Sequence, residues 1–234
     1  MEKFGKSQPV KRVEDVRLLT GAGRYVDDLA PANALVAYVF RSPVAHARIT
    51  SLEITEAIAA EGVRAVFSAA ELEAAGMTIA RNGAVVENRD GTKGAAPMRP
   101  ILAKDKLRYV GEPVAVVVAD TMAQAKDAAE LIVLDYEDLP AKLDVAPGGA
   151  LVHEDVADNL AFDWGLGDEA ATEAAVAEAA HRVRLEGEDN RIIANSMEPR
   201  GCYAEPEGDR LHVAINGQGV WVQKSQLARA LGVD

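Results

Sequence analysis

The chain has little thiol chemistry, no long apolar run and no surplus of positive charge, and each shortage closes off a class of function. Its single cysteine, Cys202, rules out an internal disulfide and a cysteine-built zinc site. Cysteine is among the residues most often buried, so Cys202 is expected as a small packed apolar side chain. No run approaches the roughly 18 apolar residues that span a bilayer. The opening stretch MEKFGKSQPVKRVED lacks the apolar core of a signal peptide, and the cytoplasm is the expected compartment. Lysine and arginine number 25 against 37 acids, a formal charge of −12. That field repels nucleic acid and anionic membrane surfaces, and no local basic stripe offsets it. None of the four histidines, His46, His153, His181 and His212, has a partner at a metal-ligand spacing. Each reads as a packed or surface residue, and no metal site is expected.

What remains is an ordinary globular composition, 49% hydrophobic and 26% charged over 234 residues, enough for one large domain or two small ones. ALVAYVF (34–40), ARITSLEI (47–54) and VRAVF (63–67) read as strands. Thr55 is the expected cap of a helix stopped at Gly62, and Ser68 with Glu71 forms a capping-box pattern ahead of a short helix closed by Gly76. Residues 77–106 lose periodicity and read as an exposed loop with one or two strand-like pieces. So long a connection either lies near a partner or a site, or is a variable surface excursion. PVAVVVA (113–119) is a continuous apolar run, expected to be covered on both faces. Asp120 or Thr121 then caps a helix through Glu130, and LIVLDYE (131–137) is strand again, a crossover unit expected to join parallel strands.

Two prolines and a glycine pair in LPAKLDVAPGGALVHED (139–155) place a domain boundary near residue 145. Beyond it, Asp168 is expected to cap an alanine-rich helix. HRVRLEGED, GCYAEPE and RLHVAIN read as strands, the last two joined at Gly208 and Asp209. GVWVQKSQLARALG (219–232) reads as a helix with Val220, Leu227 and Leu231 on one face and Gly232 as its stop. A helix with no strand after it predicts an interrupted unit, a piece of something larger.

Two glycine-containing stretches bear on phosphate binding. Gly21 and Gly23 lack the third glycine and the preceding strand of the dinucleotide fingerprint. Gly111 stands before a strand, whereas a cradle needs glycine after one, so Gly111-Glu112-Pro113 reads as a turn feeding that strand. Asp27, Asp28 and Glu198 are acidic candidates without a motif behind them, and no nucleophile elbow or paired-carboxylate motif stands out.

Six phrases in one order are more specific than any of these. GAGRYVDD (21–28), RSPVAHARI (41–49), YVGEPVAVVVADT (109–121), YEDLPA (136–141), NSMEPRG (195–201) and GQGVWVQKSQLARALG (217–232) together resemble the molybdenum-binding large subunit of the xanthine dehydrogenase and aldehyde oxidase family. MEPRG points within it to the carbon monoxide dehydrogenase-like large chains. The resemblance implies an α+β fold: an α/β hammerhead domain with a mixed sheet over residues 15–145, then the truncated N-terminal part of a molybdopterin-binding domain over 146–234. A glycine-rich segment, further pterin contacts and the general-base glutamate are expected beyond Asp234.

The activity implied for the complete protein is oxidoreductase chemistry, hydroxylating carbon monoxide, an aldehyde or an N-heterocycle with water as oxygen source. Its implied cofactor is molybdopterin, with iron–sulfur and FAD groups on partner subunits. The fragment itself is expected to be scaffold, inactive and without bound cofactor, exposing an apolar face on its last helix and the adjacent strands. No catalytic residue is assigned to it. One contact carries over, a cofactor-facing glutamine at the end of the strand before that helix, which is Gln218. Its amide can donate to a cofactor oxygen and accept elsewhere, or can simply bond local backbone at a helix start. Glu198 and Arg200 stabilise the local turn, or form a wall near the substrate path. The alternative for the whole chain is a non-catalytic binding or assembly module with a hammerhead fold.

Overall fold

In this computed structural model the described residues are 11–78, 80–81, 83–189 and 195–233. Residues 1–10, most of the stretch read above for a leader, and Asp234 lie outside them. The elements run α1 (Asp15–Leu19), a 3-10 turn (Val26–Asp28), β1 (Val36–Arg41), β2 (Ala47–Glu53), α2 (Thr55–Ala59), β3 (Val63–Phe67) and α3 (Ala69–Ala74). Short strands β4 (Ala80–Arg81), β5 (Arg99–Pro100) and β6 (Lys106–Leu107) follow, then β7 (Pro113–Ala119), α4 (Met122–Glu130) and β8 (Val133–Asp138). After a second 3-10 turn (Ala157–Asn159) come α5 (Glu169–Glu178), β9 (Cys202–Glu207), β10 (Arg210–Ile215) and α6 (Val220–Leu231). The chain divides into two compact units, Met1–Ala34 with Glu188–Val220, and Leu35–Gly187 with Trp221–Asp234.

Strand β7 explains the larger unit. Its Ala115, Val117 and Ala119 face a core completed by Ala125, Ala128 and Ala129 of α4, with Val66 of β3 and Ala57 of α2. Val114, one position out of phase, points into a second core with Ala47, Ala103 and Leu107. Side chains alternate faces along a strand, so a full core on one face and a partial one on the other, where Val116 and Val118 are half-buried, favour apolar residues at every step. That is the physical content of PVAVVVA. The alanines of α4 have no bulk beyond Cβ, which lets the helix lie close against β1 and β7.

Both edges of β7 are taken, by β1 and β3, in the order β1-β7-β3. The crossover therefore does not return to its own sheet. Helix α4 hands the chain to β8, which pairs with β2 in a second sheet of order β6-β2-β8. Every pairing among the described strands is antiparallel. The expected parallel crossover and mixed sheet are thereby corrected, because the strand that could have accepted a parallel neighbour had no free edge.

Local signals fare well. Ser68 accepts from the Ala70 amide and Glu71 from the Ser68 amide, the reciprocal capping box. Thr121 accepts from the Gln124 amide, and Asp168 from the Ala171 amide. Thr55 does not cap: helix α2 starts one residue earlier than expected, with Ile54 at the cap position and Thr55 as its first helical residue. HRVRLEGED forms no strand. Val183 and Leu185 are 97% and 92% exposed, and no neighbouring strand offers residues 181–189 a ladder among the described residues.

The long loop is anchored rather than loose. Arg89 holds Asp163 through two nitrogens and Glu169 through a third, at 2.8 to 3.1 Å. The Arg89 amide donates to the Asp163 carbonyl at 2.8 Å and the Ala95 amide to the Ala161 carbonyl at 2.6 Å. A Cβ at Gly94 would stand 2.7 Å from Phe162 Cβ, so only glycine fits that approach. These bonds tie residues 161–169 to the loop, which is why the compact unit runs on to Gly187.

Candidate functional site

In the unit of Met1–Ala34 and Glu188–Val220, the β9–β10 hairpin presents the loop that holds Gln218. Gly208, with φ +65°, takes the first central position of the two-residue hairpin turn, where a type II′ turn needs positive φ. Pro206 opposite Leu211 is tolerated because a two-stranded ladder has open edges. Strand β10 ends at Ile215, three residues before Gln218, so the glutamine stands in a short link, not at the strand's end. Gly219, with φ +77°, follows it, and α6 begins at Val220. Gln218 is exposed, and among the described residues its amide has no hydrogen-bond partner. The local backbone bond weighed for it is not seen.

Polar side chains fix the approach to that link. The Asn216 amide nitrogen Nδ2 donates to the Pro199 carbonyl at 2.6 Å, while its Oδ1 accepts from the Gly201 amide at 3.0 Å. Glu198 Oε1 accepts from the Val26 amide at 3.0 Å. Asp28 accepts from the Tyr25 amide at 2.8 Å, closing the 3-10 turn that Val26 opens. Glu198 and Asp28 are therefore occupied with backbone. Nothing in the sequence pattern singled out Asn216, whose neighbour Gly217 marks it only as the end of a strand.

The remaining candidates stay apart. Cys202 is exposed, which corrects the expectation of a packed thiol: it opens β9 at the end of a two-stranded ladder with no covering layer among the described residues. His212 lies 3.4 Å from the Tyr203 hydroxyl, their rings tilted by 30°, and His181 is exposed. His46 is buried, with Nδ1 2.7 Å from the Pro140 carbonyl. His153 is half-buried, and burial, reinforced by the Arg108 charge, pushes its pKa below the ordinary value of 6.5. No group of three metal-ligating side chains occurs among the described residues.

The geometry closes the phosphate question on both stretches. Gly21 ends α1, with the Ala22 amide donating to the Arg17 carbonyl at 2.8 Å. At the other turn, the Gly111 amide donates to Ser42 and the Glu112 amide to Tyr109, while the Arg108 amide donates to the Glu112 carboxylate at 2.6 Å. Glu112 is only 4% exposed, and burial raises its pKa from 4.5 against the pull of Arg108. A turn with its amides spent and a carboxylate inside has nothing to offer an anion. No helix among the described residues is long and apolar enough to cross a membrane.

The donor set fits one contact with a molybdopterin group. The Gln218 carboxamide, without a partner among the described residues, has both a donor and an acceptor to offer a cofactor oxygen. It amounts to a single hydrogen-bonding arm.

Comparison with known proteins adds what one side chain cannot. Residues 20–140 match the family described as aldehyde oxidase and xanthine dehydrogenase, a/b hammerhead domain. Residues 152–234 match the molybdopterin cofactor-binding domain. The nicotine 6-hydroxylase large subunit of Paenarthrobacter nicotinovorans is 36% identical over 99% of this chain and 28% of its own length. The carbon monoxide dehydrogenase large chain of Hydrogenophaga pseudoflava is 30% identical over 94% of this chain and 28% of its own. The crystal structure of quinoline 2-oxidoreductase from Pseudomonas putida 86 superposes with a TM-score of 0.74, at 33% identity, over 96% of this chain and 28% of that one. The chain thus spans little more than a quarter of the length of these three relatives.

Proposed function

The chain belongs to the aldehyde oxidase and xanthine dehydrogenase family, and from that premise we propose that it forms the N-terminal portion of the molybdenum-cofactor subunit of a molybdenum hydroxylase. The observation that carries this reading is the pair of consecutive family matches, 20–140 and 152–234, with a relative aligned over 99% of the chain. The division we adopt is a hammerhead domain over residues 15–145 and the start of the molybdopterin-binding domain over 146–234. The second match weighs against a binding module without redox chemistry. The relative named for nicotine, at 36% identity, leads us to take an N-heteroaromatic ring as the substrate to test first, ahead of carbon monoxide, for which relatives are named at 34% and 30%. A relative named as a large subunit supports partner subunits, and we assign these the iron–sulfur and FAD groups.

The bound cofactor supplies the redox chemistry in the complete protein, with water as the oxygen source. The work of this chain is to hold and orient. Gln218 offers its amide N–H to a cofactor oxygen and keeps an acceptor for a neighbour. The two cores around β7 make a stiff support, and no residue here is given a catalytic role.

The test uses the complete protein purified with its partner subunits. We expect molybdenum by metal analysis and oxidation of an N-heteroaromatic ring with labelled oxygen drawn from water. A complete protein without molybdenum overturns the reading. For the contact, Gln218→Ala is expected to lower kcat about tenfold, the scale of one lost hydrogen bond that orients the cofactor. Unchanged activity and molybdenum content would remove Gln218 from the site.

A further inference from the structure

Gln218 stands in a link of four residues, 216–219, between the end of β10 and the start of α6. Such a link places a side chain only as well as its ends are held. The far end is set by Gly219, whose φ of +77° is a conformation that side-chain-bearing residues avoid. The near end is set by Asn216, and its geometry is specific. One carboxamide donates to the Pro199 carbonyl at 2.6 Å and accepts from the Gly201 amide at 3.0 Å. The Asn216 backbone amide adds a third, longer bond to the Gly201 carbonyl at 3.4 Å.

Asn216 thereby grips the backbone on both sides of Arg200, in the turn 195–201. That turn is itself held, because Glu198 Oε1 accepts the Val26 amide at 3.0 Å and Ser196 Oγ donates to the Glu198 carbonyl at 2.7 Å. The chain of contacts runs Val26, Glu198, Pro199 and Gly201, Asn216, and then two residues on to Gln218. Few other side chains could replace Asn216. Aspartate keeps the acceptor and loses the donor, serine lacks the second arm, and glutamine is a methylene too long.

We propose that Asn216 is a positioning residue: its two-sided carboxamide clamp on the 195–201 turn sets where Gln218 presents its amide. The inference rests on the Gln218 reading above. Misplacing an orienting group by an ångström can cost about a hundredfold in rate, so releasing one end of a four-residue link should be felt at the site before it is felt in the fold.

The experiment compares Asn216→Ala, Asn216→Asp, Gln218→Ala and the Asn216→Ala/Gln218→Ala double variant in the complete, molybdenum-loaded protein. Asn216→Ala is expected to lower kcat about tenfold with KM within about twofold, molybdenum content unchanged, and the molybdenum electron paramagnetic resonance signal shifted as in Gln218→Ala. Asn216→Asp, which keeps the Gly201 bond, is expected to fall in between, and it carries the test if the alanine variant does not fold. In the double variant the Asn216 change is expected to add nothing, since there is no longer an amide to position.

Impaired Gln218→Ala beside unimpaired Asn216→Ala overturns the inference alone. So does an equal loss from Asn216→Ala with and without Gln218, or loss of the metal, either of which makes Asn216 a purely structural residue. Unimpaired Gln218→Ala instead takes down the Gln218 reading, and the clamp with it.

Discussion

Strand β7 and the β9–β10 hairpin both use antiparallel ladders, but they are kept in place by different means. Strand β7 has a partner on each edge, a full core on one face and a smaller one under Val114 on the other, with Val114, Ala115, Val117 and Ala119 all at 0% exposure. The hairpin has one partner for each strand and little side-chain cover: Leu211 and Ile215 are 51% and 45% exposed. Its surroundings are ordered by directed bonds, from Asn216 to Pro199 and Gly201 and from Val26 to Glu198. Apolar burial is strong and undirected, whereas hydrogen bonds are modest and specific. The first builds a support. The second aims a loop.

This contrast is sharpest in paired truncations. Leu107, fully buried beside Val114, and Leu211, half-exposed on the hairpin, lose the same atoms on change to alanine. Leu107→Ala is expected to cost about 2–5 kcal/mol through lost burial and the cavity left behind. Leu211→Ala should stay within about 0.5 kcal/mol. Urea unfolding followed by circular dichroism measures both, and equal losses would dissolve the distinction between the two regions.

The same difference governs what a reader of the sequence can see. PVAVVVA announces a strand walled on both sides because burial acts on every residue in turn. The capping residues Ser68, Glu71, Thr121 and Asp168 were legible because their bonds reach only two or three residues along the chain. Sheet partnership was not. Whether β7 has an edge to spare depends on β1 and β3, more than forty positions away in sequence, so the local pattern of strand, helix and strand carries no sign that the crossover leaves its sheet. HRVRLEGED has a strand's alternation but no partner among the described residues, and alternation without a partner makes no ladder. At the candidate site, family phrases point to Gln218, whereas Asn216 carries no sequence signal, because its contacts with Pro199 and Gly201 are encoded by no local spacing.

Smaller effects come from titration within the larger unit, where half-buried His153 and buried Glu112 pull in opposite directions. The pKa of His153 is lowered from 6.5, first by burial and then by the Arg108 charge, with Asp155 and Glu154 opposing and Lys106 assisting. Below about 6.5 the unfolded chain then binds a proton that the folded chain refuses, so stability is full above that value and falls as the solution is acidified. Glu112 runs the other way. Its pKa is raised from 4.5, so the folded chain keeps a proton that the unfolded chain has shed, and this contribution is lost as pH rises through the folded value. Unfolding midpoints between roughly pH 4 and 8 should show His153→Gln flattening the acid side of the profile. Glu112→Gln should remove the opposing slope just above 4.5. Parallel profiles for all three proteins would remove both groups from the account.

The smallest effect falls on Cys202 and returns to the hairpin. A thiol inside a core like that around β7 would be shielded from solvent and would lose stability on substitution. At the start of β9 it pairs through backbone with Ile215 and stands exposed. Its backbone bonds survive any side-chain change, so Cys202→Ser is expected to alter stability by less than about 0.5 kcal/mol. The folded chain should react with one equivalent of a thiol reagent without denaturant, since access is one of the controls on thiol reactivity. Labelling that waits for unfolding would mean that the hairpin is covered as β7 is. The contrast between a region held by burial and one held by directed bonds would then have to be given up.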